Sequence, residues 1–221
     1  MKKGVFITLE GGEGTGKSTQ IKLLQEALAA EGIDVLITRE PGGTEQAERI
    51  RHLLLQRDSG NFDPLTEALL LFAARREHLV SKIWPALEAG QWVISDRFAD
   101  SSRAFQGYGM GLDMQVIENL YRMVAGEFQP DLTFIFDIAP ETGLQRSIGR
   151  LKKADITEDR YERMGLPFHQ RLRNGFLEIA RKFPARCVII DAAQDIQTVH
   201  RQVLKTIESR FGIGAKEVLH G

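Results

Sequence analysis

Residues 11–18 read Gly11-Gly12-Glu13-Gly14-Thr15-Gly16-Lys17-Ser18, the spacing G-x-x-x-x-G-K-[ST] whose backbone cradles phosphate. Glycine lets the chain curl until successive N–H groups point inward at one anion. A helix opening at Lys17 adds the positive end of its dipole. Lys17 reaches the β- and γ-phosphates of a nucleotide, and the Ser18 hydroxyl is placed to ligate Mg²⁺. The motif needs a strand before it and a helix after it. The apolar run Gly4–Leu9 and the helix candidate Lys17–Glu31 supply both.

Magnesium needs a second anchor, usually an acid at the end of another strand. Asp96 ends Gln91-Trp92-Val93-Ile94-Ser95-Asp96, and Asp137 ends Thr133-Phe134-Ile135-Phe136-Asp137. Ligands of open α/β sheets gather at the carboxyl ends of strands, so both are candidates.

Three arginines lie where a pocket facing the cradle forms. Arg39 follows the second strand candidate and Arg97 the third. Arg75 ends the apolar helical run Ala68-Leu69-Leu70-Leu71-Phe72-Ala73-Ala74-Arg75-Arg76. Phe72 and Arg75 are three apart and share a helix face, pairing an aromatic to stack on a base with a guanidinium to fork a phosphate. Arg76, four residues from Phe72, is the alternative. The stretch Asp100–Gly111 is rich in glycine and polar residues and reads as a loop that recognises a base by amide hydrogen bonds and ring packing. A basic segment follows: Arg146 and Arg150 are four apart on one helix face, with Lys152 and Lys153 just beyond. Mobile cations of this kind stabilise the charge spread over a transferring phosphoryl group and exclude water as they close.

The elements that must position these groups are legible as alternation. Gly4–Leu9, Ile33–Thr38, Gln91–Ser95, Leu132–Ile138 and Cys187–Ile190 read as strands buried on both faces. Helix candidates lie between and after them: Lys17–Glu31, Thr44–Gln56, Pro64–Ala89, Met114–Glu127, Pro140–Arg150, about Thr157–Phe183, and Ile196–Arg210. Asp63-Pro64 marks a helix start, and Gly32 and Gly90 mark helix ends. The alternation predicts a three-layer α/β domain, one domain over 1–221, with a frayed tail from Phe211.

Composition excludes other classes. Lys and Arg total 29 against 30 Asp and Glu, which argues against a protein that coats nucleic acid or anionic membrane. The single cysteine, Cys187, excludes an internal disulfide framework and a Cys-cluster metal site. A chain of this length buries roughly 70% of its extended surface, so its core needs no staple. No apolar run approaches the roughly 18 residues of a membrane span. The opening Met-Lys-Lys is followed by a short strand-like run that ends in Glu10, unlike a signal peptide. A cytoplasmic location is expected.

Taken in order, these segments resemble the bacterial thymidylate kinases, of the nucleoside monophosphate kinases with a phosphate loop. The resemblance rests on Phe6–Gly11 leading into the phosphate loop and on Thr38-Arg39-Glu40-Pro41-Gly42-Gly43. It continues through Phe72-Ala73-Ala74-Arg75, Asp96-Arg97-Phe98, Ser102–Gly107 and Asp159-Arg160-Tyr161-Glu162. It implies a P-loop NTPase fold with a five-stranded parallel sheet, a short lid over about 146–160, Mg²⁺, a homodimer, and transfer of the ATP γ-phosphate to dTMP, giving dTDP for dTTP synthesis. By position, Gly11 through Ser18, Thr19 and Arg146 would surround ATP. Glu13, Arg39, Phe72, Arg75, Arg97, Ser102, Phe105 and Gln106 would line the dTMP site. Phe72 would stack on thymine, with Arg75 and Gln106 at its edge or the sugar-phosphate; Arg39 and Arg97 would hold the monophosphate. Lys17, Arg97, Asp96 and Arg150 would act in the transfer, with Ser18 and Asp96 at the metal. The phosphate loop carries no arginine, matching the subgroup in which basic lid residues supply that charge.

Two positions depart from the pattern. Phe105 stands where a tyrosine is usual, which removes one hydroxyl near the sugar. The step from Phe72 to Arg75 is one residue shorter than in relatives, which makes Leu71 the alternative stacking position. Two other readings remain: a kinase for another nucleoside monophosphate or a deoxynucleoside, and a slow NTPase switch. A guanine-reading N-K-x-D segment, which a GTPase switch would carry, is absent from the sequence.

Overall fold

The computed structural model describes residues 4–55, 62–154 and 160–214, the side chains of 150–154 excepted. Five strands form one sheet: β1 (Phe6–Gly11), β2 (Val35–Arg39), β3 (Trp92–Asp96), β4 (Leu132–Asp137) and β5 (Cys187–Asp191). The order is β2-β3-β1-β4-β5 and every pairing is parallel. β1 is therefore central, and the loop that follows it emerges mid-sheet. The register sets Leu9 opposite Asp96 and Arg39 opposite Asp96, which brings the ends of β1, β2 and β3 to one edge.

Strand residues alternate between two cores, as a two-faced sheet requires. Ile7, Leu9, Phe134 and Phe136 pack against Leu24 and Leu28 of α1 (Lys17–Ala30) and against Val203 and Ile207 of α9 (Ile196–Phe211). On the other face Phe6 and Val93 pack against Phe72 of α3 (Pro64–His78) and Ile117 and Tyr121 of α6 (Met114–Ala125). Ile135 on that face meets Leu172 and Phe176 of α8 (Leu166–Lys182). Asp63 caps α3 by accepting the N–H groups of Leu65 and Thr66, and Gly32 and Gly90 take positive φ after their helices, as expected from the sequence.

Several expectations are corrected. The predicted helix Pro64–Ala89 is α3, a π-helical turn (Leu79–Ile83) and α4 (Trp84–Glu88). Residues 160–164 form turns, so the predicted helix from about Thr157 begins only at Leu166, after Gly165; 157–159 lie outside the described residues. α7 runs from Pro140 to Ala154, past the expected end at Arg150. The expected loop at Asp100–Gly111 is helical through Gly109, with α5 (Ala99–Ser102) leading into a π-helical segment (Arg103–Gly109), and only Met110 and Gly111 lie beyond it. Its glycines serve close packing: a Cβ on Gly109 would come 2.6 Å from the Phe168 ring, and one on Gly107 would come 2.8 Å from Met114. Of the tail expected to fray from Phe211, Phe211 itself packs edge-on against Trp92 at 5.1 Å, and 215–221 lie outside the described residues. Completing the helical inventory, α2 covers Glu45–Leu55.

Candidate active site

Gly11 closes β1 and Lys17 opens α1, so the intervening loop joins the central strand to a helix N-terminus. Gly14 and Gly16 stand at φ of +67° and +87°, where side chains other than glycine are strained. A Cβ on Gly14 would also collide with the carbonyl of Gly143 in α7. Lys17 is buried, and its Nζ donates to Gly12 O at 2.9 Å and to Gly11 O and Thr15 Oγ1 at 3.3 Å. Burial, and then the nearby Arg97 charge, bring its ammonium down to about 8. An entering phosphate would reverse that shift by favouring the charged form.

The two candidate acids separate clearly. Asp96 Oδ2 lies 3.5 Å from Ser18 Oγ, and its Oδ1 is buried with no hydrogen-bond partner among the described residues. Asp137 is instead gripped by both arms of Arg173, at 2.6 and 2.8 Å. The Ser18–Asp96 pair therefore offers hard oxygen donors of the kind a magnesium ion takes alongside water and phosphate oxygens.

A single cleft of about 490 Å³ runs from Lys17 and Ser18 to Arg39, Arg75 and Gln106. Arg97 lines it too, with φ of +71°. Its guanidinium donates to Glu13 Oε1 at 2.7 Å, to Gly11 O at 2.8 Å and to Ser101 Oγ at 3.1 Å, and lies 4.9 Å from the Phe105 ring centre. Arg39 is exposed and donates to Glu48 at 3.0 Å. Arg75 is buried, with Nε on Glu40 at 2.7 Å, Nη1 on Ser102 Oγ at 3.1 Å and Nη2 on Phe98 O at 3.0 Å. Gln106 Nε2 donates to Glu67 at 2.7 Å, while Gln106 Oε1 is buried and lacks a hydrogen-bond partner among the described residues.

Glu13, Gly14, Thr15, Gly16, Ser102 and Phe105 also line the cleft, whereas Gly11, Gly12 and Thr19 do not. Phe72 is corrected: it is 1% exposed and packs in the sheet core beneath Arg75, whose Cζ lies 4.7 Å from its ring centre. Leu71 lines the cleft instead. Arg76 also turns away, donating to Val124 O and lying over Trp84. Arg146 is outside the cleft and donates to Ala192 O at 3.2 Å, beside the loop after β5. The side chains of Arg150, Lys152 and Lys153 lie outside the described residues.

Some groups were not singled out from sequence. Glu67 is fully buried; its Oε1 accepts Tyr161 Oη at 2.8 Å and Gln106 Nε2 at 2.7 Å, and its Oε2 forms an ion pair with Arg160 Nη2 at 2.5 Å. An acid directly preceding the apolar run of α3 was the available signal, since buried carboxylates need partners. Arg160, Tyr161 and Glu162, named in the sequence analysis as a segment of the resemblance without a site role, also line the cleft. Glu162 also accepts from Ser147 of α7 at 2.8 Å. Burial, and then the neighbouring Glu13 charge, raise the Glu162 carboxyl above its usual range. Ser101 and Arg51, one residue and one element from named candidates, had no distinguishing pattern and also line the cleft.

A family model described as "Thymidylate kinase" matches residues 9–203. A thymidylate kinase of Caulobacter vibrioides is 47% identical over 213 residues, covering 96% of this chain and 100% of the relative. One from Alkalilimnicola ehrlichii is 48% identical over 199 residues, covering 90% of each. The crystal structure of thymidylate kinase from Ehrlichia chaffeensis superposes with a TM-score of 0.75 at 39% identity, covering 93% of this chain and 99% of that one.

Proposed function

The chain belongs to the thymidylate kinase family, and from that premise we propose that it transfers the γ-phosphoryl group of ATP to dTMP, giving dTDP and ADP, with Mg²⁺. The observation that carries the reading is one continuous cleft lined both by the phosphate loop with Lys17 and by Arg39 and Arg75, with Arg97 between them, bonded to Glu13 and Gly11 O of the loop. A polyanion at each end leaves the two phosphates meeting between Lys17 and Arg97.

The acceptor is a phosphate oxygen already ionised at neutral pH, so the reaction needs no strong general base; positioning and charge neutralisation carry the rate. Loop N–H groups and Lys17 hold the donor, while Arg39 and Arg97 hold the acceptor phosphate. Ser18 and Asp96 would hold Mg²⁺, which when bound neutralises charge on the β- and γ-phosphate oxygens. The unpaired Gln106 Oε1 suits the ring N–H of thymine, and the unused N–H groups of Arg75 suit a base carbonyl. Leu71 and Phe105 bracket the base and sugar. Arg146 and the Ala192 loop lie on the adenine side of the donor.

The chain works as one domain, with a lid over about 146–160. Arg150, Lys152 and Lys153 bring the charge that the arginine-free phosphate loop lacks. The position of Arg160 and Tyr161 at the cleft wall supports a lid that closes there. The protein acts as a homodimer in the cytoplasm. Leu65 and Leu69, one turn apart on α3, and Met123 on α6 are exposed apolar groups suited to a partner copy. No helix among the described residues is long and apolar enough to cross a membrane.

ADP release measured with ATP–Mg²⁺ and a panel of dTMP, dUMP, UMP, AMP, GMP and thymidine tests the activity. A clear preference for dTMP is expected. A higher rate with thymidine would assign a nucleoside kinase, and equal ADP release without acceptor a simple NTPase. Light scattering on a sizing column tests the dimer.

A further inference from the structure

Glu10, the penultimate residue of the central strand, has no part in the transfer scheme above. It is fully buried, where a carboxylate is costly unless its oxygens are bonded. Oε1 accepts the Phe98 N–H at 2.8 Å and Oε2 accepts the Ser101 hydroxyl at 2.6 Å. The same Ser101 oxygen accepts Arg97 Nη1 at 3.1 Å.

Two further facts direct the reading. Glu10 has no ion pair among the described residues. The neighbouring Asp100 is the acid that pairs with Arg186, at 2.6 and 2.9 Å, and with Arg103, at 3.0 Å. An unpaired buried carboxylate is poor at stabilising a fold. Second, Arg97 holds φ at +71°, a conformation that persists in a non-glycine residue only when the surroundings impose it. Its N–H donates to Leu9 O at 3.0 Å and its carbonyl accepts from Ser95 Oγ at 2.7 Å. The next N–H along, that of Phe98, ends on Glu10.

We infer that Glu10 is a positioning residue: through the Phe98 N–H and the Ser101 hydroxyl it sets the turn after β3, and so the aim of the Arg97 guanidinium along the phosphate loop. The inference rests on the proposed reading of Arg97 as a holder of the acceptor phosphate. Glutamine at this position keeps the shape and one acceptor but presents an N–H₂ group to Ser101, turning the serine proton away and upsetting its bond to Arg97.

The test is the affinity for dTMP and, separately, for ADP, by titration calorimetry without ATP or metal, in the full-length protein and in Glu10→Gln, Ser101→Ala, their double variant and Arg97→Ala. Each of the first two variants should weaken dTMP at least tenfold and change ADP less than twofold. The double variant should match the weaker single variant within twofold, because two steps of one path do not add. Unchanged dTMP affinity in both single variants, equal losses for dTMP and ADP, or multiplying effects would each overturn the inference while Arg97→Ala still weakens dTMP. Unchanged affinity in Arg97→Ala would instead remove the acceptor-site reading, and this inference with it. Should Glu10→Gln fail to fold, Ser101→Ala decides: a tenfold loss confined to dTMP supports the path, and unchanged affinity overturns it.

Discussion

Glu13 Oε1 and Arg97 Nη2 lie 2.7 Å apart, tying the phosphate loop after β1 to the turn after β3. The pair spans the point where donor and acceptor phosphates would meet. It neutralises Arg97 while no anion is present and leaves the guanidinium oriented along the loop. On the proposed reading, an incoming phosphate would compete with Glu13 for the same fork, which would link binding of donor and acceptor through this contact.

Replacing Lys17 with alanine removes the one side-chain cation of the loop. Turnover should fall roughly 10²–10³-fold, since charge stabilisation of the transferring group is lost. The thermal midpoint should stay within a few degrees, because a desolvated ammonium contributes little to folding. Steady-state kinetics beside thermal denaturation separates the two effects.

The Lys17 ammonium also predicts a proton count. Free, it titrates at about 8, chiefly through burial, and bound phosphate restores its charge. ATP binding near pH 9 should therefore take up close to one proton at this site. Calorimetry in buffers of different ionisation enthalpy measures the uptake, and Lys17→Met should abolish it.

Asp96→Asn should raise the Mg²⁺ concentration for half-maximal rate roughly 10–100-fold with little change in dTMP affinity. Removing divalent cations with a chelator should stop transfer and leave dTMP binding intact. A matching shift in Asp137→Asn would reverse the assignment, because Asp137 is occupied by Arg173.

Leu71 and Phe72 should separate function from packing. Leu71→Ala should raise KM for dTMP several-fold, since Leu71 lines the cleft. Phe72→Leu should cost about 1–3 kcal/mol of stability and leave KM unchanged, since Phe72 fills the core. A KM effect in Phe72→Leu alone would restore it to the base site.

Glu10 carries a stability signature. Burial first, and then the Asp100 charge, raise its carboxyl from 4.5 to about 7. The folded state then favours the protonated form, so this stabilisation is full below pH 4.5 and lost as pH rises through 7. Between pH 5 and 8 the wild type should lose about 2.5 kcal/mol relative to Glu10→Gln. Chemical denaturation of both across that range measures the difference, and parallel curves would contradict it.

The local requirements of the site were legible because they are properties of adjacent residues. The loop from Gly11 to Ser18 must curl and must precede a helix, and the five strand runs and their parallel pairing follow from alternation, whereas the order β2-β3-β1-β4-β5 came from the structure. Strand ends carrying Arg39 and Asp96 pointed to the edge where the cleft opens. The stretch Asp100–Gly111 misled, because glycines that admit Phe168 and Met114 have the same composition as glycines that turn a chain.

The sequence by itself determined the curled glycine loop with its lysine, the parallel sheet and the supply of arginines, since each depends on residue type and near-neighbour spacing. Only the tertiary structure decided which side chains face the cleft. A one-residue step on α3 rotates a side chain by about 100°, and that step exchanges Phe72 for Leu71. Distant partners did the rest: Arg173 takes Asp137 out of contention, Glu67 collects Gln106 and Tyr161, and Glu10 reaches Ser101 across 91 positions of chain. Such pairings arise when burial forces polar atoms to find one another, a constraint that comes into being only with the packed core.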